Sequence, residues 1–191
     1  VPQRRGDPMV LSMDEGVRAG TTVESLAKLR PVFDREGAVT AGNASTLNDG
    51  ASAVLIAEAS FAKAQGWEII ATIEDYVTSG VEPARVMSAP IPAVQSLLKR
   101  NNLNVLDVDV YEHNEAFASA SCAVAQEVGI PDDRFNLHGG AVSLGHPLGA
   151  SGTRCLITML GVMRRLDASS GIVTLCLGGG NAVAMYVRRP Q

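Results

Sequence analysis

A chain of 191 residues that is 46% hydrophobic but only 4% aromatic can build one large domain with an aliphatic core. A net charge of −4 and no Lys/Arg cluster argue against a nucleic-acid partner. No apolar run reaches the ~20 residues that span a bilayer, and Val1-Pro2-Gln3-Arg4-Arg5 lacks the apolar stretch of a signal peptide. Three cysteines with no pairing pattern fit a reducing compartment, so a cytoplasmic protein without membrane contact is expected.

Residues 1–50 are polar and turn-rich, with one short helix over 23–28 that Thr21 or Thr22 would cap. The apolar run 51–57 reads as a buried strand, and 58–65 as a helix stopped by Gly66. A β-branched stretch, 69–77, predicts the next strand. A helix follows over 92–100, with Pro92 in its first turn. Then come a strand at 108–111, a small-residue helix over 116–128 ending at Gly129, a brief strand at 135–138 and a helix over 151–166. A strand at 171–177 and its hairpin partner at 182–187 close the chain across Gly178-Gly179-Gly180-Asn181. From residue 69 onward this β-α-β-α-β-α-β-β order predicts an α/β fold: a mixed five-stranded sheet, mostly parallel, with helices on both faces.

Two titratable groups are flanked by glycines. His146 lies in Gly139-Gly140-Ala141-Val142-Ser143-Leu144-Gly145-His146-Pro147-Leu148-Gly149-Ala150-Ser151-Gly152, and Cys176 precedes three glycines at a strand end. Glycines allow close backbone approach to a ligand. A base and a thiol on such turns suit chemistry on a small carbonyl group, with Gly178 able to offer an N–H to an oxyanion. Taken alone, His146 is either a base kept neutral by a helix N-terminus or a structural turn residue. Cys176 is either an acid/base thiol or a buried strand cysteine. Asn114 ends a strand, where α/β ligand sites gather. Cys122 and Cys155 fall in apolar helical patterns and read as small buried hydrophobes. No C-x-x-C or H-x-x-x-H spacing supports a metal site. The glycine run lacks the Lys-Ser/Thr of a phosphate loop.

These stretches, with His113-Asn114-Glu115-Ala116-Phe117, resemble the C-terminal half of a thiolase. Upstream, Pro2-Gln3-Arg4-Arg5-Gly6-Asp7, Arg18-Ala19-Gly20-Thr21-Thr22, 26–33 and 39–51 are similar to the same family. The resemblance implies an acyl-CoA C-acyltransferase that condenses acetyl-CoA or cleaves 3-ketoacyl-CoA. It implies that His146 activates a nucleophilic cysteine and binds the thioester oxygen. Cys176 would be the acid/base of the enolate step, Asn114 would complete the oxyanion site through a water, and Gly178 would donate an N–H. It makes Arg18, Ser25, Ala41, Ala44, Ser45, Ala116 and Phe117 contacts to coenzyme A, although Phe117 reads equally as core and the arginines as solvated surface. Coenzyme A thioesters would be the substrates, with no further cofactor. His113 departs from the small residue usual there.

The resemblance further implies that residues 1–68 are the end of the loop region and the last strand and helix of the thiolase N-terminal half, and 69–191 the C-terminal domain. None of the three cysteines stands in the family's nucleophile context. The chain is therefore expected to be a C-terminal half, inactive by itself, whose partners are the N-terminal half and, at full length, a homodimer or homotetramer. In a eukaryote the compartment would be mitochondrial or peroxisomal. The other reading is a non-catalytic fragment that binds coenzyme A or serves assembly. A ketoacyl synthase is disfavoured, because Asn114 and Cys176 occupy the positions where those enzymes differ.

Overall fold

The computed structural model describes residues 1–190. Four strands, β1 (Thr72–Gly80), β2 (Val110–His113), β3 (Ser170–Leu177) and β4 (Asn181–Arg188), form one sheet in the order β1-β4-β3-β2. β3 and β4 are an antiparallel hairpin, and β1 adds antiparallel to β4. β2 runs parallel to β3, with His113 opposite Thr174. The sheet is thus mixed, as expected, but only one of its three pairings is parallel. A short turn can join only antiparallel neighbours, as in the β3–β4 hairpin, whereas β2 reaches its parallel partner β3 through the long connection that carries α4 and α6.

Six α-helices accompany the sheet: α1 (Val23–Leu26), α2 (Ala59–Ala64), α3 (Pro90–Arg100), α4 (Ala118–Val128), α5 (Ala141–Leu144) and α6 (Ser151–Leu166). Along β3, alternate side chains enter opposite cores. Ile172 packs with Val94, Leu97 and Val124 beneath α3 and α4. Val173 packs with Val110, Met159 and Val162 beneath α6. Both faces are covered, so residues 170–174 are all buried and read as a continuous run. The helix signals hold closely: α6 has the expected bounds, Gly129 ends α4 with a left-handed φ of 82°, and Thr22 caps α1.

Two expected strands differ. Segment 135–138 contributes a single bridge, Phe135 to Tyr111, so the fifth strand does not form. Asn136 takes a φ of 47°, and its side-chain Oδ1 accepts the His113 N–H at 2.7 Å, which ends the ladder. Segment 51–57 takes no regular structure and leaves Leu55 79% exposed, because no neighbour among the described residues takes up its backbone groups. No helix among the described residues is long and apolar enough to cross a membrane.

Candidate active site

The site forms where β2 and β3 end together. The Asn114 N–H donates to the Thr174 carbonyl at 3.2 Å, after which the chain turns through Glu115, at a φ of 61°. Cys176 lies two residues beyond Thr174, at the same end of the sheet. The third component is the loop around α5. The Ala141 N–H donates to the Asn114 carbonyl at 2.9 Å. Gly145 follows at a φ of 88°, and a Cβ there would drive into the Asn48 amide, so only glycine permits this turn. Burial raises the Glu115 pKa, with the Val142 and Gly140 amides and Arg154 acting the other way.

His146 comes next. Its backbone N–H is shared between the Thr46 carbonyl at 2.9 Å and Asn48 Oδ1 at 3.2 Å. Its Nδ1 lies 2.6 Å from Ser151 Oγ, and the Ser151 hydroxyl donates to the Pro147 carbonyl at 3.0 Å. A hydroxyl has one proton to give. With that proton on Pro147, Oγ accepts from Nδ1–H, and Nε2 carries the lone pair. Burial, then the positive charge of Arg154, holds the His146 pKa below the ordinary histidine value. The imidazole is therefore neutral near pH 7, and the causes are desolvation and Arg154 rather than the helix terminus expected from the sequence.

Asn114 is 2% exposed. Its Nδ2 stands 3.4 Å from His146 Nε2 and 3.5 Å from Nδ1. Behind it, Arg154 Nη2 donates to Asn114 Oδ1 at 3.0 Å and Arg154 Nη1 donates to Glu112 Oε1 at 3.0 Å. Glu112 is fully buried, and its pKa is raised to about 8 by desolvation, with Arg154 opposing. The Cys155 Sγ lies 3.5 Å from Asn114 Oδ1, and burial pushes that thiol up to about 12.

Cys176 has no hydrogen bond to His146 among the described residues. Its sulfur meets Met87 Sδ at 3.9 Å, on the side of the sheet covered by α3 and α4. Burial raises its pKa, with its own backbone hydrogen bond opposing, so it is a thiol at neutral pH. Gly178 is exposed in the hairpin turn with open space around it.

Of the expected coenzyme A contacts, Ala44, Ser45, Ala116 and Phe117 are stitched together. The Ser45 N–H donates to the Ala116 carbonyl at 2.9 Å, and Ala44 bridges Phe117. The Phe117 ring meets Phe33 edge-on at 6.0 Å. Ala41 is exposed beside them. Arg18 and Ser25 lie on the exposed leading segment and are not joined to His146; the Ser25 hydroxyl is taken up in capping α1. A cleft of about 360 Å³ opens between residues 48–52 and 147–150, next to His146.

His113 is not at the site. It packs under the turn, with Nδ1 2.7 Å from Ser121 Oγ and its ring stacked on Phe135, and desolvation lowers its pKa to about 4. Ser151, Arg154 and Glu112 are the participants that sequence reasoning missed. Two signals pointed to them: a cation in the first turn of α6, against the helix dipole, and a carboxylate inside a buried strand.

Fold and site together define an α/β protein with a neutral base, an amide and a thiol gathered at one end of its sheet. The chain belongs to the thiolase family: the thiolase C-terminal domain matches residues 67–189 and the thiolase N-terminal domain matches residues 1–60. It is 50% identical to an acetyl-CoA acetyltransferase of Pseudomonas aeruginosa over 189 residues, 99% of this chain and 48% of that protein. It is 47% identical to a probable acetyl-CoA acyltransferase of Staphylococcus epidermidis over 190 residues, 99% of this chain and 48% of that protein. The crystal structure of the Bacillus anthracis acetyl-CoA acetyltransferase superposes with a TM-score of 0.91 at 37% identity, over 98% of this chain and 48% of that one. Human mitochondrial 3-ketoacyl-CoA thiolase, solved in complex with CoA, gives 0.85 at 37% identity over 94% and 46%. The chain spans about half the length of the curated relatives it matches.

Proposed function

We propose that these residues carry the acid–base part of an acyl-CoA C-acyltransferase, which condenses acetyl-CoA or cleaves 3-ketoacyl-CoA with coenzyme A. The observation that carries this is the His146 arrangement, a neutral imidazole with Nδ1–H held by Ser151 and a basic Nε2 that faces the Asn114 amide. Nε2 takes the proton from a thiol as that thiol attacks a thioester carbonyl, and the Asn114 amide steadies the oxygen side of the site. Cys176, a thiol in the resting state, gives its proton to the enolate carbon during cleavage and takes the α-proton during condensation. Ala44, Ser45, Ala116 and Phe117 line the way in for the pantetheine arm.

The acyl-accepting thiol is not among the three cysteines here. Cys122 is exposed on α4, Cys155 is enclosed with a thiol pushed up to about 12, and Cys176 is committed to the α-proton. The 191 residues by themselves are therefore inactive and work together with a further polypeptide segment that supplies the acyl acceptor. Acetoacetyl-CoA cleavage is the test, followed for the protein as its source cell makes it and for the 191 residues alone. The first should turn over in the ordinary enzyme range of ~1–10³ s⁻¹ and lose ~10²–10⁴-fold with His146→Ala. The second should show none. Turnover by the 191 residues alone removes the divided-site reading, and no turnover by the native protein removes the acyltransferase reading.

A further inference from the structure

We infer that Arg154, anchored by Glu112, is a positioning residue that fixes which way the Asn114 amide faces, turning Nδ2 toward the His146 imidazole. The inference concerns the same site and rests on the acyltransferase reading only for its catalytic consequence. An amide can be placed in either of two orientations that differ by exchanging oxygen and nitrogen. Here the oxygen's surroundings decide. Arg154 Nη2 donates to Oδ1 at 3.0 Å and to the Asn114 backbone carbonyl at 3.4 Å, and the Cys155 thiol lies 3.5 Å from the same Oδ1. The reversed amide would set its own N–H groups against two donors, in a place where Asn114 is 2% exposed and water cannot compensate.

Arg154 holds this pose because its planar fork is divided. Nη1 is bound to Glu112 Oε1, and Nη2 is left for Asn114. Nη1 also reaches Thr158 Oγ1 at 3.5 Å, one turn along α6. Glu112 is fully buried on β2, where its Oε1 accepts from the Arg154 fork and so pins the guanidinium in place. The pair therefore links β2, α6 and the Asn114 turn, and orients the amide without itself touching the reacting atoms.

The test uses the protein as its source cell makes it and needs no turnover. The readout is the nuclear Overhauser cross-peak between the Asn114 side-chain amide protons and the His146 ring protons. It should be present in the native chain and retained in Glu112→Gln, which keeps an acceptor for Arg154. It should be lost in Arg154→Lys, which keeps the charge but has a single nitrogen and no fork, while the far-UV circular dichroism is unchanged. If Arg154→Lys does not fold, the paired replacement Arg154→Met with Glu112→Leu removes both charges at once and should lose the cross-peak in the same way. Absence of the cross-peak from the native chain, or its persistence in a folded variant without the guanidinium, overturns the inference. Because no acyl transfer is measured, a failed acyltransferase assay leaves this result standing, and the reverse also holds.

Discussion

At the scale of single residues, three cysteines in one chain meet three environments, and their reactivities should separate. The thiolate is the reactive form. Cys122 is exposed, Cys176 is half-buried with its pKa raised, and Cys155 is 0% exposed with its thiol pushed up to about 12. Iodoacetamide labelling read by peptide mass at pH 7 should modify Cys122 first and Cys155 last. Cys176 labelling should rise only at a pH higher than an ordinary free thiol requires, because burial raises its pKa. Fast labelling of Cys176 at pH 7 would mean that a cation or donor outside the described contacts lowers its pKa. Ser151 offers a second check. In Ser151→Ala the Nδ1–H of His146 loses its acceptor, at a cost of about 1 kcal/mol. Imidazole ¹⁵N shifts should then move from a single Nδ1–H tautomer toward a mixture. An unchanged tautomer would mean that another group fixes it. The role of Ser151 was hidden in the sequence because a serine five residues after a histidine looks like an ordinary helix start. Only the loop through Pro147 brings its hydroxyl back to Nδ1.

At the scale of elements, the site depends on turns that only certain residues can make. Gly145→Ala should destabilise the fold by roughly 1–3 kcal/mol, from a left-handed φ and a Cβ forced against Asn48. The same change should release the His146 backbone N–H from Thr46 and Asn48. Hydrogen exchange at the His146 amide would report this, and an amide as protected as in the native chain would show that the turn tolerates a side chain. The elements legible in the sequence were those with local signals: α6 with its apolar stripe, α4 with Gly129 at its end, and the β3–β4 hairpin across the glycines. The failures were non-local. Whether 135–138 is a strand was decided by Asn136 capping His113, and the fate of 51–57 by whether another strand lies beside it. His146, Asn114 and Cys176 were found from short motifs. That Cys176 turns toward Met87 was not, because strand alternation gives a face only once the two cores are known.

At the scale of the whole molecule, two enclosed titratable groups on one strand should set the pH range of stability. The His113 pKa is lowered to about 4 from an ordinary 6.5, so the fold favours its neutral form. Its contribution is fully present above pH 6.5 and is lost as pH falls from there through about 4, by an amount on the order of 3 kcal/mol. The Glu112 pKa is raised to about 8 from an ordinary 4.5, so the fold favours its protonated form. That contribution is present below pH 4.5 and is lost as pH rises from there through about 8, with Arg154 moderating the loss. The two losses oppose each other between pH 4.5 and 6.5, so stability should vary little there and decline on the alkaline side up to about pH 8. Thermal unfolding midpoints across pH in the native chain, His113→Gln and Glu112→Gln resolve the two contributions. His113→Gln should gain stability as pH falls from 6.5 to 4.5, where the native chain stays level, because glutamine in its place has nothing to protonate and only the Glu112 contribution remains. Glu112→Gln should flatten the decline toward pH 8. Parallel curves for all three would show that neither group changes its protonation on folding, and that the acid and alkaline limits are set elsewhere in the molecule.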